Sequence, residues 1–357
     1  MKPAPRLALA VVLALGAACR SSPYGEIERA DAEHHLQLAE QEIAEGKLDQ
    51  ALERLAAVHE VSGLDPDTRT REERLIEEAA RRRFAELADA PASELEALFE
   101  SELPADVRAR AGLLAAQRLA DEDHRVKAFR MVKKVDQEIP SHPERVLAGD
   151  ILARVGLSLI RDPGHYGFFL SYRTRGVQTL EYLVVQYPLE PRCPEAYAAL
   201  SEYYESTGDL DAAIEHTENL LLYHPQSPYA VVGAVRLPYL RLSRTRRDDY
   251  DRSELTRAQR EVDHWLSVHP THELAPWAHE LASECRLRLV RSDLELAHYY
   301  ERTETPSGVR LHATRALASA EAGGLEAEAS EARALLEDVP APAPGEPVMP
   351  LAVPGDT

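Results

Sequence analysis

Residues 194–225 read PEAYAALSEYYESTGDLDAAIEHTENLLLYHP. Apolar residues recur at helical spacing on either side of Gly208, and Pro225 closes the segment. Glycine permits a tight turn between antiparallel helices. Alanine at the closest crossing lets two backbones approach. Proline cannot continue a helix, because it has no N–H and its ring clashes with the carbonyl four residues back. The segment therefore predicts a helix, a short turn and a second helix, with a stop before the next unit. The stop recurs as His142-Pro143, Tyr187-Pro188, His224-Pro225 and His269-Pro270, with the prolines 45, 37 and 45 residues apart. A repeated helix stop at this interval predicts stacked helical hairpins and an all-α solenoid.

A second stretch, AEHHLQLAEQEIAEGKLDQALERLAAVHE at 32–60, has the same layout around Gly46. Both resemble the tetratricopeptide repeat, a helix-turn-helix unit of about 34 residues. Leu200, Gly208, Leu210 and Ala213 fall at that repeat's packing and turn places in one unit, and Leu38, Gly46, Leu48 and Ala51 in the other.

The remaining hairpins are more degenerate. Helices are predicted over 66–90 and 92–102, then over the pair 104–120 and 122–138. The pair 144–161 and 168–187 is split by Asp162-Pro163-Gly164, a strong turn signal. The pair 228–243 and 252–268 is split by the Arg/Asp-rich loop SRTRRDDYDR, and the last units are 273–302 and 307–336. Residues 338–357 carry six prolines and no helical period, so they are expected to be disordered or polyproline-like.

Composition agrees with an all-α fold. The chain has 357 residues, 44% hydrophobic and 29% charged, with 17 glycines and few alternating Val/Ile/Thr runs. Its net charge is −20. A body this acidic repels phosphate backbones, which argues against nucleic-acid partners. The three cysteines, Cys19, Cys193 and Cys285, show no zinc spacing, and the last two are expected to be free and buried.

The N-terminus, MKPAPRLALAVVLALGAAC, places Lys2 and Arg6 before an apolar run from Leu7 to Ala18. That pattern predicts an export signal over 1–18 rather than a spanning helix, which needs about 20 residues. Cys19 follows the small residues directly, resembling a bacterial lipobox in which that cysteine is the lipid attachment site. Residues 19–26 read as a tether, 27–138 as N-terminal hairpins, and 139–337 as a second hairpin array.

Within that array, residues 179–230 contain His224-Pro225-Gln226-Ser227-Pro228-Tyr229-Ala230, and 286–317 place Leu294, Ala297, Tyr299 and Tyr300 on one helix. These stretches, with Cys19, resemble the outer-membrane assembly lipoproteins of the BamD family over about half the mature chain. The extra helices at 66–138, the Pro-rich tail and Glu304-Thr305-Pro306 in place of a glycine turn depart from that family's pattern. The resemblance implies a lipid-anchored, periplasm-facing protein of the bacterial outer membrane. Such a protein binds envelope partners, among them a barrel-assembly protein, without catalysis or cofactor. An alternative is a repeat lipoprotein coordinating peptidoglycan machinery.

No phosphate loop, HExxH, GxSxG or GxGxxG motif is present. His34-His35 are adjacent on a helix and do not converge on one metal. His269 and His272 flank a proline turn, where capping and packing are the default roles. Tyr203-Tyr204 and Tyr299-Tyr300 read as packing residues, and Arg81-Arg82-Arg83 and Arg244/Arg246/Arg247 as solvated faces. The repeat register turns Glu195, Ala198, Glu202 and Glu205 to one side of the best unit, and Glu33 and Glu40, with Leu36 and Ile43, to the same side of the first. These residues are the candidate groove for a basic or polar peptide; the alternative is a solvated face.

Overall fold

The helix starts and stops are written in local chemistry. Asp65 accepts from the backbone N–H of Asp67 and Thr68 at 3.1 and 3.0 Å and so caps Pro66–Glu86, with proline in the first turn. Ser171 caps Tyr172–Gln186 and Asp209 caps Leu210–Tyr223 in the same way. The four His/Tyr-Pro stops fall just beyond the ends of the helices Arg125–Glu138, Tyr172–Gln186, Leu210–Tyr223 and Arg252–Val268. At the first of them His142 is buried and its ring Nε2 lies in hydrogen-bond contact with Asp136 Oδ1 at 2.9 Å.

The computed structural model describes residues 24, 27–87, 89–101, 103–166, 170–244 and 252–339. Among them are fifteen α-helices, one 3-10 turn (Arg29–Asp31) and a two-residue antiparallel bridge pairing His165 with Ser171 and Tyr166 with Leu170. The fold is all-α. The predicted signal over 1–18, Cys19, all of the tail beyond Val339, and Arg246 and Arg247 lie outside the described residues.

The chain divides into two compact units, Met1–Ile151 and Leu152–Thr357. In the first, α1 (Ala32–Ala44) packs on α2 (Leu48–His59), and both pack on α3 (Pro66–Glu86). Then α4 (Ala92–Phe99) packs on α5 (Ala105–Asp121), and α5 on α6 (Arg125–Glu138). The division falls inside α7 (Arg145–Arg161). In the second unit, α8 (Tyr172–Gln186), α9 (Cys193–Thr207), α10 (Leu210–Tyr223), α11 (Pro228–Arg244), α12 (Arg252–Val268) and α13 (Ala275–Arg302) each pack on the next. The last two helices are α14 (Pro306–Gly323), which packs on α13 and α15, and α15 (Glu326–Glu337). Contact between α9 and α11, and between α13 and α15, stacks one hairpin on the next.

The core is aliphatic and rich in alanine. Ala297 of α13 meets Ala313, Ala316 and Ala320 of α14 in one cluster, all 0% exposed, so these two helices approach closely. A neighbouring cluster is built around Trp265, whose ring N–H donates to the Val231 carbonyl at 2.9 Å. In the first hairpin Leu36 and Ala39 are fully buried, whereas Leu38 is half-buried.

Several boundaries differ from the expected ones. The helix expected over 66–90 ends at Glu86. The one expected from 168 begins at Tyr172: Asp162 accepts from the Gly164 N–H at 2.8 Å, and Leu170 and Ser171 pair with Tyr166 and His165. Of the last two expected units, 273–302 holds the single helix Ala275–Arg302 and 307–336 holds two, broken where Gly324 takes φ +67°.

One packing element occurs twice. The Tyr204 ring stacks on His216 at 5.3 Å, and Tyr300 stacks on His312 at 5.6 Å. Each tyrosine ends the first helix of a hairpin and each histidine lies in the second. Tyr204 donates to Glu181 at 2.5 Å, and His312 bonds Asp293 at 2.8 Å. Tyr204 and Tyr300 therefore serve packing, whereas Tyr299 is 52% exposed.

Candidate protein-docking cleft

The acidic residues expected along a groove are held by arginines of the same chain. Arg71 of α3 donates to Glu33 and Glu40 of α1 at 2.8 and 2.7 Å. Arg236 of α11 donates to Glu202 at 2.8 Å and also bonds Glu205, both on α9. Glu195 accepts from Arg161 at 2.8 Å and from Arg192 at 3.3 Å, and Ala198 is half-buried beside it. The bonds from Arg71, Arg236 and Arg161 tie the first helix of one hairpin to the first helix of the next, and that from Arg192 is local to the start of α9. The separation of 34 residues in Arg236–Glu202 returns in Arg83–Asp49, Arg161–Glu195 and Trp265–Val231. A basic ligand at these positions competes with a tethered guanidinium. Each such surface pair contributes only about 0.2–1 kcal/mol, so the competition is modest in energy but built in.

An apolar cleft stands at the other kind of position, where the hairpins end. Tyr187 leaves α8 with φ −130°, and Pro188 prevents further helix. The linker then carries Leu189 out to 95% exposure. Beside it stand Val185 of α8, 70% exposed, and Tyr223 of α10, 63% exposed. Together with Pro188, Pro191 and the nearly buried Tyr197 they line a cleft of about 740 Å³. Tyr197 is held from below by the rings of His224 and His216, at 5.9 and 6.2 Å. Burial lowers the pKa of both histidines, so they favour the neutral form. Glu190 is the one carboxylate in the cleft lining.

Cys193 lies behind this cleft, fully buried, with its thiol donating to the Tyr187 carbonyl at 3.2 Å. Burial pushes this thiol up to about 11, and Cys285 up to about 12. Neither is a thiolate at neutral pH, and both are free, as expected.

Exposed apolar side chains of this size cost about 25 cal/mol for each Å² left in water, and adjoining ones mark a contact surface. The cleft can take two or three apolar side chains of a partner, with Glu190 placed to meet a cation at its edge. The sequence carries a signal for this cleft: a Tyr-Pro-Leu-Glu-Pro link puts a large apolar residue where a linker is normally polar.

His269 and His272 both pack on Trp265, at 5.2 and 5.3 Å, and His272 accepts from the Leu274 N–H at 3.1 Å. Among the described residues no group of three or more His, Cys, Asp or Glu is placed to hold a metal ion. No helix among them is long and apolar enough to cross a membrane. Arg244 is tied to Asp211 at 2.8 Å. No protein-family model matches this chain, and no curated protein matches it.

Proposed function

We propose that the chain is a non-catalytic scaffold lipoprotein, anchored through Cys19 at the bacterial outer membrane, that binds an envelope protein by surface complementarity. The observation that carries the binding role is the cleft formed by Val185, Leu189 and Tyr223, an apolar surface left open on an otherwise charged body. The occupant it suits is an extended segment with apolar side chains and one basic residue opposite Glu190. The resemblance to the BamD family supports outer-membrane protein assembly as the setting, and the lipobox-like context of Cys19 supports the anchor.

A photo-crosslinking residue in place of Leu189, in the full-length chain in intact cells, tests the reading. Recovery of a barrel-assembly protein, abolished by Tyr223→Glu, is the expected result. Recovery of a peptidoglycan synthase instead moves the scaffold to the peptidoglycan machinery. Absence of any position-specific product refutes the docking cleft. Cys19→Ser is expected to release the chain from the outer-membrane fraction, and retention there refutes the anchor.

A further inference from the structure

Arg81, Arg82 and Arg83 are consecutive in sequence, and α3 turns them to different neighbours. Arg82 donates to Glu78 at 2.6 Å and to the Ile43 carbonyl at 3.2 Å. Arg83 donates to Asp49 at 2.7 Å and to Glu86 at 3.2 Å. Arg81 is exposed, makes no ion pair among the described residues, and borders a cleft of about 470 Å³ lined by α3, α4 and α5.

Arg110 and Arg118 of α5 line the same cleft. The Arg110 side chain is 50% exposed, with its nearest carboxylate, Glu144, at 3.8 Å, and its guanidinium lies 5.1 Å over the Phe84 ring. Arg81, Arg110 and Arg118 thus share the cleft lining with one carboxylate, Asp121, on a chain whose net charge is −20. Beneath them the floor is Phe84, Leu87 and Leu95, all buried, with Leu114 half-buried beside them.

This pairing of a cationic rim with an apolar floor selects a chemistry. Guanidinium binds phosphate and carboxylate oxygens through paired hydrogen bonds. The floor accepts hydrocarbon, and the volume lies in the range of small-molecule sites. Gln117 and Asp121 are the only side chains in the lining that accept hydrogen bonds, so the N–H groups of a peptide backbone would find few partners. We propose that this cleft binds an anionic amphiphile, with its phosphate or carboxylate head at Arg81 and Arg110 and its acyl chain along Phe84, Leu95 and Leu114. The ligand is a phospholipid drawn from the membrane surface or a free fatty acid, which share that chemistry.

Titration of the purified full chain with dodecyl phosphate, below its micelle concentration, tests the proposal by calorimetry. One saturable site is expected, with inorganic phosphate and an uncharged dodecyl glycoside each binding at least about tenfold more weakly. Arg81→Gln with Arg110→Gln is expected to weaken dodecyl phosphate about tenfold or more while the melting temperature stays within a few degrees. Competition by phosphatidylglycerol vesicles, and not by phosphatidylcholine vesicles, identifies a membrane lipid as the source. Binding without such competition identifies a free amphiphile. The proposal is overturned by absence of saturable binding, by equal affinity for inorganic phosphate, or by undiminished binding in the folded double variant.

Discussion

Glu304 occupies the same place in its hairpin as Gly208 does in the best-formed one, with φ +52° against φ +83°. Around both, the same pair of bonds closes the first helix. The Asp209 N–H reaches the Tyr204 carbonyl and the Thr305 N–H reaches the Tyr300 carbonyl, each at 2.9 Å. This is the left-handed helix ending that glycine adopts freely and a side chain resists by about 1–2 kcal/mol. Glu304→Gly is therefore expected to stabilise the protein by about 1 kcal/mol, and Gly208→Ala to destabilise it by a similar amount, read from urea midpoints. A Glu304→Gly variant less stable than the parent contradicts this account.

Arg241 is the largest fully buried side chain, 1% exposed, and it is held by carboxylates on two flanking helices. Glu218 of α10 accepts from it at 2.6 Å, Glu261 of α12 accepts as well, and Glu254 lies 3.8 Å away. Breaking such a cluster by removing one partner typically costs about 3–5 kcal/mol. The three carboxylates keep 27–46% of their surface and can rehydrate, which places Arg241→Met at the low end, about 3 kcal/mol. Adding Glu218→Gln and Glu261→Gln removes the stranded charges, so the triple variant is expected to recover part of that loss. A single-variant loss below about 1 kcal/mol in denaturant unfolding would show that the cluster is not structural.

The parts of the fold that were legible in the sequence are those with a local cause. Pro140, Pro188, Pro225 and Pro270 each stand within two residues of a helix end, so the ends of α6, α8, α10 and α12 could be read directly, whereas Pro238 lies inside α11. The turn at Glu304-Thr305-Pro306 is legible from its proline, but the left-handed φ of +52° at Glu304 is not, because no glycine marks the position. The candidate groove failed to announce its partners for a different reason. Glu202 and Arg236 are 34 residues apart, and pairing them requires the stacking of one hairpin on the next. The same holds for Arg81, Arg82 and Arg83, which look alike in sequence and diverge only because α1 and α2 supply the Ile43 carbonyl and Asp49 to two of them.

Histidine chemistry gives the two ends of the second unit opposite responses to pH. Burial lowers His216 and His224, and the nearby Glu181 and Glu215 oppose this for His216 without overcoming it. A histidine depressed in the folded state contributes stability above its unfolded pKa of about 6.5, and that contribution is lost as pH falls through the folded value. His298 is raised by hydrogen bonds to Glu331 at 2.9 Å and to Glu301 at 3.1 Å. Its contribution is complete below about pH 6.5 and is lost as pH rises through the raised folded value. Lowering the pH from about 7.5 to 5.5 is thus expected to loosen α9–α10 and to tighten α15 on α13. Segment-resolved hydrogen exchange, corrected for its intrinsic pH dependence, should show protection falling over Cys193–Tyr223 and rising over Glu326–Glu337. Parallel changes in both segments would refute the assignment.

Three glycines inside or beginning helices separate backbone crowding from side-chain crowding. A Cβ on Gly176 of α8 would stand 2.3 Å from the Ile160 backbone nitrogen and 2.6 Å from its Cα on α7. Neither atom can move without shifting a helix, so Gly176→Ala is expected to cost about 3 kcal/mol or more and to loosen the α7–α8 hairpin. A Cβ on Gly308 would meet the Tyr300 ring at 2.4 Å, and that ring is held by its stack on His312. Its displacement is costly but possible, so Gly308→Ala should fall between the extremes, at about 1–2 kcal/mol. A Cβ on Gly233 of α11 would come nearest the flexible end of Leu220, at 3.1 Å, with Thr217 and Leu221 at the ordinary contact distances of 3.5 and 3.7 Å. There the gain in helix propensity, about 1 kcal/mol, outweighs a small adjustment, and Gly233→Ala is expected to be neutral or stabilising. Thermal unfolding of the three variants should therefore rank them Gly233→Ala, Gly308→Ala, Gly176→Ala in falling stability. Any order that places Gly176→Ala above Gly308→Ala would mean that α7 and α8 are not in backbone contact.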